Sequence, residues 1–164
     1  GKVYTMSEEP KRSATTRARN LLLMSLFVPL WLTVGRGLLG SFGWMTFMMI
    51  MSVIPLLLPL ALTLLFTTRA DVKKSGHVTG SEATALWSFH LVYVLFGFFL
   101  VDGADTEDSM GSVCSKLLGD QWLDLSSYLA FGLLVLGLFL GLLVVKDAVV
   151  GRRRVAKARI ETGR

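Results

Sequence analysis

Cysteine and charge are both scarce in this chain of 164 residues. The single cysteine, Cys114, excludes an internal disulfide and a paired-cysteine zinc site. We interpret it as an unpaired loop cysteine, with a bridge to another chain as the less favoured alternative. Charged residues make up 18% of the sequence and hydrophobic residues 52%, and the mean hydropathy is +0.58. This composition is typical of a membrane protein and not of a soluble domain.

Catalytic motifs are also missing from the sequence. There is no phosphate-binding loop, HExxH motif or serine nucleophile elbow, and no pair of acidic residues lies inside an apolar run. The glycines around Arg36 (GRGLLG) have the spacing of a dinucleotide loop, but that loop needs a preceding strand and a following soluble helix. We therefore expect no enzymatic activity, no catalytic residue, no metal site and no resident cofactor.

Four apolar segments approach or exceed the length needed to cross a membrane. About 20 apolar residues in a helix span a hydrocarbon core of about 30 Å. A backbone in lipid must satisfy its own hydrogen bonds, and the segments lack the alternation of barrel strands, so we expect helices. The predicted fold is an all-α polytopic membrane protein with four transmembrane helices in two antiparallel hairpins. The spans are 21–39, 42–66, 83–101 and 128–145, between a basic arm (1–20) and a basic tail (146–164).

The distribution of basic residues predicts the orientation. Of the 17 Lys and Arg residues, all but Arg36 and Lys116 lie in the two terminal segments or in the loop between the second and third spans. Because basic residues in short loops are retained in the cytoplasm, both termini and this loop are predicted to be cytoplasmic. This pattern fits a bacterial inner membrane. The net charge of +5 does not indicate a nucleic-acid partner, since the charges lie at the ends and in the gaps and form no basic face.

The two predicted outer loops differ in length and charge. Glycines around Arg36 make the first reversal tight, so the first two helices should be antiparallel neighbours. We interpret Arg36 as an anchor that extends its charged head to the lipid headgroups. The second outer loop should be a solvated acidic face, with a short amphipathic helix carried by an apolar pattern from Met110 to Leu125. The acidic residues of this loop are Asp102, Asp105, Glu107, Asp108, Asp120 and Asp124.

His90 is the clearest ionisable residue at membrane depth. A charged residue there costs on the order of 3 kcal/mol, so such a position is a functional candidate. Two interpretations stay open: a proton relay or axial cofactor ligand, or a neutral imidazole that joins two helices by a hydrogen bond. The second is favoured because no other histidine or carboxylate lies within the spans to complete a relay.

Pro55 and Pro59 should kink the second helix, because each lacks a backbone N–H and its ring clashes with a preceding carbonyl. In a transporter, carbonyls freed in this way beside Ser52 coordinate a cation or solute, and the path would comprise Ser52, Pro55, Pro59 and His90. The favoured alternative is that the prolines only shape helix packing.

Small residues on the fourth helix predict close helix packing. Ala130, Gly137 and Gly141 share one face, and Gly137 with Gly141 forms a small-xxx-small pair whose partner is either another span or another protein. In the tail, Arg152, Arg153 and Arg154 should bind anionic lipid headgroups, each by about 1 kcal/mol.

Two functions are compatible with these patterns. The first is an accessory or structural subunit of a larger membrane complex, docked through its helix faces, basic tail and acidic loop. The alternative is a small homo-oligomeric channel or transporter for protons or cations that uses His90 and the Pro55/Pro59 break. The expected partners are the lipid bilayer and other membrane subunits or further copies of the chain.

Overall fold

The computed structural model describes residues 15–41, 43–103 and 111–161 and is mostly helical. The predicted all-α class is confirmed. In chain order the elements are β1 (Thr15–Arg17), α1 (Ala18–Leu30), a π-helical turn (Trp31–Gly35), α2 (Arg36–Leu38), α3 (Trp44–Ser52), α4 (Ile54–Thr67), α5 (Ala70–Ser75), β2 (His77–Thr79), α6 (Gly80–Phe99), α7 (Val113–Leu118), a 3-10 turn (Asp120–Trp122) and α8 (Leu123–Glu161).

Three helical segments are long and apolar enough to cross a membrane, and a bent pair makes a fourth if it is counted as one span. The three are Ala18–Leu38, Gly80–Phe99 and Asp120–Arg153, and the bent pair is Trp44–Ser52 with Ile54–Thr67. All four overlap the predicted segments. The chain therefore has the length and composition of a multi-pass membrane protein.

Helix α8 extends well beyond the predicted fourth span. It runs without interruption for 39 residues and is therefore about 58 Å long, whereas the hydrocarbon core is about 30 Å thick. The predicted tail from Lys146 continues the helix as far as Glu161. The residues carrying its basic block are thus held on a rigid extension of the span.

Packing contacts define the relative directions of the long helices. Trp87 of α6 lies against Thr16 at the start of α1, and the Trp31 indole nitrogen donates to the Val94 carbonyl over 3.0 Å. The first span and α6 therefore run in the same direction. Helix α8 packs along α6 in the opposite direction, since Gly137 faces Val92 whereas the later Gly141 faces the earlier Phe89.

The apolar core lies towards the end of the bundle where α4 and α5 meet. It combines residues from α1, α4, α5, α6 and α8, among them Leu21, Phe66, Val72, Leu86 and Val144, all of them buried. Elsewhere the long helices expose large apolar side chains, including Ile54 at 74% and Leu142 at 71%. Such exposure is unfavourable in water and is compatible with a lipid environment.

Two short strands form a sheet that the periodicity did not predict. β1 pairs antiparallel with β2, with Thr16 opposite Val78 and Arg17 opposite His77. The pairing joins the segment before α1 to the segment before α6. It depends on a contact between residues about 60 positions apart, whereas periodicity reads only neighbouring residues.

The predicted kink in the second span is confirmed, and it lies at Val53. The axes of α3 and α4 differ by 51°, and Val53 between them has φ 58°. Pro55 lies in the first turn of α4, where its missing N–H costs no helical hydrogen bond, and Pro59 lies inside α4. The break therefore precedes the first proline and leaves α4 continuous through the second.

Gly97 allows the first span to approach α6 closely. A Cβ atom at this position would lie 2.6 Å from Leu32 Cδ2 and 2.9 Å from Trp31 Nε1. Such distances are shorter than any ordinary contact, so a side chain here requires Leu32 and Trp31, or the helices that carry them, to shift.

We expect Gly97→Ala to lower the free energy of unfolding by about 1 to 3 kcal/mol, because it overpacks this contact. The measurement is unfolding by sodium dodecyl sulfate in mixed micelles, followed by circular dichroism. Gly132→Ala is the matched control, since a Cβ at Gly132 meets no atom within 4 Å. Equal stability of Gly97→Ala and the wild type would contradict the close approach.

Candidate functional site

His90 lies in the middle of the bundle and is completely buried. Its Nδ1 is 2.6 Å from the Leu86 carbonyl oxygen and its Nε2 is 3.3 Å from Thr63 Oγ1. The first contact is within α6 and the second reaches α4. A neutral imidazole suits this arrangement, with Nδ1–H donating to the carbonyl and Nε2 accepting from the hydroxyl. His90 has the geometry of the helix-joining interpretation.

The residues of the predicted transport path occupy different environments. Ser52 is exposed at the end of α3, and its hydroxyl donates to the Met49 carbonyl over 3.2 Å. Pro59, in contrast, is buried inside α4, one turn before Thr63, the partner of His90. The structure therefore places Pro59 one helical turn from the partner of His90 and leaves Ser52 at the surface.

Tyr93 satisfies the carbonyl that Pro59 leaves without a helical donor. Residue 59 would normally donate its N–H to the oxygen of Pro55, but proline has none. The Tyr93 hydroxyl donates to that oxygen over 3.0 Å. Of the carbonyls expected to bind a cation in the transport alternative, that of Pro55 is thus occupied by a side chain of α6.

A buried ion pair near the start of α3 joins three chain segments. Arg36 and the carboxylate of Asp102 are both buried, with Arg36 Nη1 3.6 Å from Asp102 Oδ2. Arg36 Nη1 also donates to Thr46 Oγ1 over 2.7 Å, and Nη2 donates to the Leu100 carbonyl over 2.8 Å. The guanidinium therefore connects the first span to the start of α3 and to the end of α6.

Asp102 also caps the N-terminus of α3. Its Oδ1 accepts from the Met45 N–H over 2.7 Å, and its Oδ2 accepts from the Thr46 N–H over 2.9 Å and from the Thr46 hydroxyl. These N–H groups have no partner inside a helix, and a negative charge here is favoured by the helix dipole. A Cβ at Gly43 would lie 2.7 Å from Asp102 Oδ1, so the cap requires glycine there.

The structure corrects two expectations for these residues. Arg36 is not a headgroup anchor, because its side chain is fully buried and paired inside the protein. Asp102 does not belong to a solvated face, because it is 1% exposed and holds Arg36 and α3. Asp105, Glu107 and Asp108 lie outside the described residues. The remaining two acids of the set, Asp120 and Asp124, are exposed as expected.

A second arginine joins the helices at the opposite end of the bundle. The Arg69 guanidinium contacts Asp71 Oδ2 at 2.6 Å and Glu82 Oε1 at 2.7 Å, and it lies against Gly151 of α8. The hydrogen bond from Arg69 lowers the pKa of the Asp71 carboxyl, and the bond to Asp71 raises the pKa of Arg69. The corner between α4 and α5 is thereby held to α6 and α8.

The small residues of α8 pack within the chain. Ala130 and Gly137 are buried. A Cβ at Gly137 would lie 3.6 Å from Val92 Cγ1, and one at Gly141 would lie 3.5 Å from Phe89 Cε2, both in α6. The glycine pair therefore faces α6. Because α6 covers this side of α8, a second protein cannot pack against it.

In the basic block of the tail, Arg152 and Arg153 are exposed. Arg152 Nη2 donates to the Leu65 carbonyl over 3.4 Å, near the end of α4. Arg154 belongs to the same helical turn. The expected binding of this block to anionic headgroups stays a prediction.

The segment before α8 is divided into the six-residue helix α7 and a 3-10 turn, so the apolar pattern across it does not produce one amphipathic helix. α7 ends before Gly119, which has φ 106°, and Met110 lies outside the described residues. Cys114 is buried within α7 and is a free thiol, not a loop cysteine. Ser112 caps α7 and donates to Ser126 Oγ over 2.9 Å, which ties the segment to α8.

Comparisons with family models, curated proteins and solved structures found no match for this chain. The class of protein is therefore defined by its own structure. It is a mostly helical chain with three to four apolar helices of membrane-spanning length, held by polar contacts inside the bundle.

Sequence reasoning missed the partners of the two arginines and of His90. One signal was available for Asp102, since Arg36 and Asp102 both border spans at the predicted outer end. The sequence did not identify Thr46 and Thr63 as hydrogen-bond partners. Threonine is common in apolar helices, because burying its hydroxyl there costs little free energy.

Loss of one partner of the Arg36–Asp102 ion pair should be strongly destabilising. Arg36→Met leaves the Asp102 carboxylate buried without its cation, so we expect a loss of about 3 to 5 kcal/mol in the free energy of unfolding. The double variant Arg36→Met with Asp102→Asn should lose less than the sum of the two single changes. The measurement is the same detergent titration, with Asp120→Asn as an exposed acidic control.

Additive losses in the double variant would contradict direct coupling between Arg36 and Asp102. A neutral effect of Arg36→Met would contradict the buried pair itself.

Proposed function

We propose that this chain is an integral membrane protein with four spans, in which α3 and α4 together form the second. Its termini and the α4–α6 connection face the cytoplasm, and its two antiparallel hairpins point outward. The positive-inside rule supports this orientation. The inner end holds Arg69, Lys73, Lys74 and the basic turn of α8, whereas the charge of Arg36 at the outer end is paired with Asp102. A bacterial inner membrane fits this charge asymmetry.

Within that membrane we propose the role of an accessory or structural subunit of a larger complex. The observation that carries this proposal is the surface of α8. Its apolar window has the highest mean hydropathy of the three continuous candidate spans, 2.7, yet only 17% of that window is buried by the rest of the chain. The glycine face of α8 is covered by α6, so the opposite face, with Phe131, Val135, Phe139 and Leu142, is the one offered to a partner.

The internal polar groups support a structural role in a second way. His90, Tyr93 and Arg36 each use their polar atoms to join one helix to another. Groups used in this manner stiffen the bundle. A protein of this kind provides a rigid apolar surface and rigid polar ends.

The channel or transporter alternative requires these same groups to exchange partners. His90 would have to release Thr63 to pass a proton, and Pro55 would have to release Tyr93 to coordinate a cation. Flux that depends on pH in proteoliposomes, and that is lost in His90→Ala, would support this alternative.

The proposed orientation predicts opposite accessibility at the two ends of the bundle. In a background with Cys114→Ser, we expect Leu118→Cys to react with a membrane-impermeant maleimide on intact spheroplasts. Ser75→Cys should react only after lysis, and both positions are exposed in the folded chain. The measurement is a gel-mobility shift with a polyethylene glycol maleimide. Labelling of Ser75→Cys in intact spheroplasts would invert the proposed orientation.

The subunit proposal predicts that the protein leaves its own membrane as part of a larger assembly. Native mass spectrometry after extraction in mild detergent should show it bound to different polypeptides. Because aromatic side chains often dominate interfaces, Phe131→Ala with Phe139→Ala should reduce the bound fraction by about tenfold or more. The matched control is Phe27→Ala with Phe47→Ala, two phenylalanines also exposed on apolar helices.

Equal retention of both double variants would contradict docking through α8. Detection of homo-oligomers alone would contradict the subunit proposal and favour the transporter.

A further inference from the structure

A recess of about 320 Å³ lies beside the break between α3 and α4. It is bounded by these two helices, by α6 and by α8. Its walls include Met49, Pro55, Phe96, Leu100 and Leu134. Its volume falls at the lower end of the range of about 300 to 1,000 Å³ for sites that bind small molecules.

The chemistry of the walls selects an apolar ligand. Every lining side chain is apolar except Tyr93, and the Tyr93 hydroxyl already donates to the Pro55 carbonyl. His90 is not among the lining residues. Water and polar solutes would therefore find almost no hydrogen-bond partner here, and apolar cavities of this kind bind apolar molecules.

The break that opens the recess carries backbone strain at Val53. Val53 is the only described non-glycine residue with a positive φ, and a β-branched side chain makes φ 58° a rare conformation. Such a conformation costs on the order of 1 to 3 kcal/mol and is found mostly at functional sites. If α3 and α4 formed one straight helix, this cost would be avoided, but the wall of the recess that contains Ile54 and Pro55 would also change.

One wall of the recess belongs to a helix with an unusual composition. Four of the nine residues of α3 are methionines: Met45, Met48, Met49 and Met51. Two of them, Met45 and Met49, line the recess one turn apart. Methionine side chains are flexible and adapt to irregular apolar surfaces, so this wall suits a ligand that itself has many conformations.

The position of the recess indicates a lipid chain as the occupant. The helices that bound it are all candidate membrane spans, so with the proposed membrane insertion, on which this inference rests, the medium outside the recess is the acyl chains of the bilayer. The recess begins near Leu100 and Met45, at the proposed outer end of the bundle, next to Trp44, which is 57% exposed. An acyl chain is thin and flexible, and tryptophan is enriched where spans meet the lipid headgroups.

We propose that this recess binds one acyl chain of a phospholipid from the outer leaflet. The chain enters beside Met45, lies between α3 and α8, and fills the space created by the bend at Val53. The phospholipid thus completes the packing of the outer half of the second span. This site is independent of any partner bound on the opposite face of α8.

Photolabelling in vesicles tests this proposal. The full-length protein is reconstituted in phosphatidylethanolamine and phosphatidylglycerol with a phosphatidylcholine that carries a diazirine on its acyl chain. After irradiation, peptide mass spectrometry locates the label. We expect label at Met49, which faces the recess, in preference to Met48, which lies on the exposed side of the same helix.

Filling the recess should remove this preference. Leu134→Trp places a large ring among the lining residues and should reduce label at Met49 by about tenfold. The matched control is Leu136→Trp, on the same helix and 44% exposed, which lies outside both the recess and the proposed docking face and should leave the label unchanged. Leu134→Ala widens the recess without filling it, so label should equal or exceed that of the wild type even if Leu134→Trp does not fold.

Three outcomes would overturn the proposal. These are equal label at Met48 and Met49 in the wild type, equal label at Met49 in the two tryptophan variants, and loss of label in Leu134→Ala. A second copy of the chain in the recess would also exclude label from Met49 and would overturn it.

Discussion

The buried ion pair between Arg36 and Asp102 is the contact on which one end of the helical bundle depends. Within a few ångströms it connects the first span, the start of α3 and the end of α6. Such a pair contributes little net stability compared with apolar packing, but either charge alone would be costly. Its importance is geometric, because Asp102 can cap α3 only while Arg36 balances its charge.

The two arginines have equivalent roles at opposite ends of the bundle. Arg69 joins the α4–α5 corner to α6 through Glu82, much as Arg36 joins the first span to α6 through the Leu100 carbonyl. Between these ends, the helices are held by close contacts at Gly97 and Gly137 and by the hydrogen bonds of His90 and Tyr93. Polar groups are thus directed inward, and the outward surface of the long helices is left mainly apolar, which is compatible with a lipid environment.

The second span departs from a regular helix at two places, Pro59 and Val53. Pro59 removes a helical donor, and Tyr93 replaces it from α6. The bend itself lies at Val53, where the backbone is strained, and it separates the methionine-rich α3 from the leucine-rich α4. The same bend opens the recess between α3 and α8, so one local distortion determines both the path of the span and the proposed lipid site.

The sequence alone determined the helical class, the approximate positions of the apolar spans and the existence of a kink near the prolines. These properties depend on neighbouring residues: the length of apolar runs, and the missing N–H of proline. The partners of Arg36, His90 and the glycine pair were decided only by the tertiary structure. Each of these contacts joins residues that are distant in the chain, and which helix faces meet depends on the packing of the whole bundle. From the sequence, an arginine near the end of a span is interpreted as a lipid anchor. Only the tertiary structure shows that Asp102 lies beside Arg36.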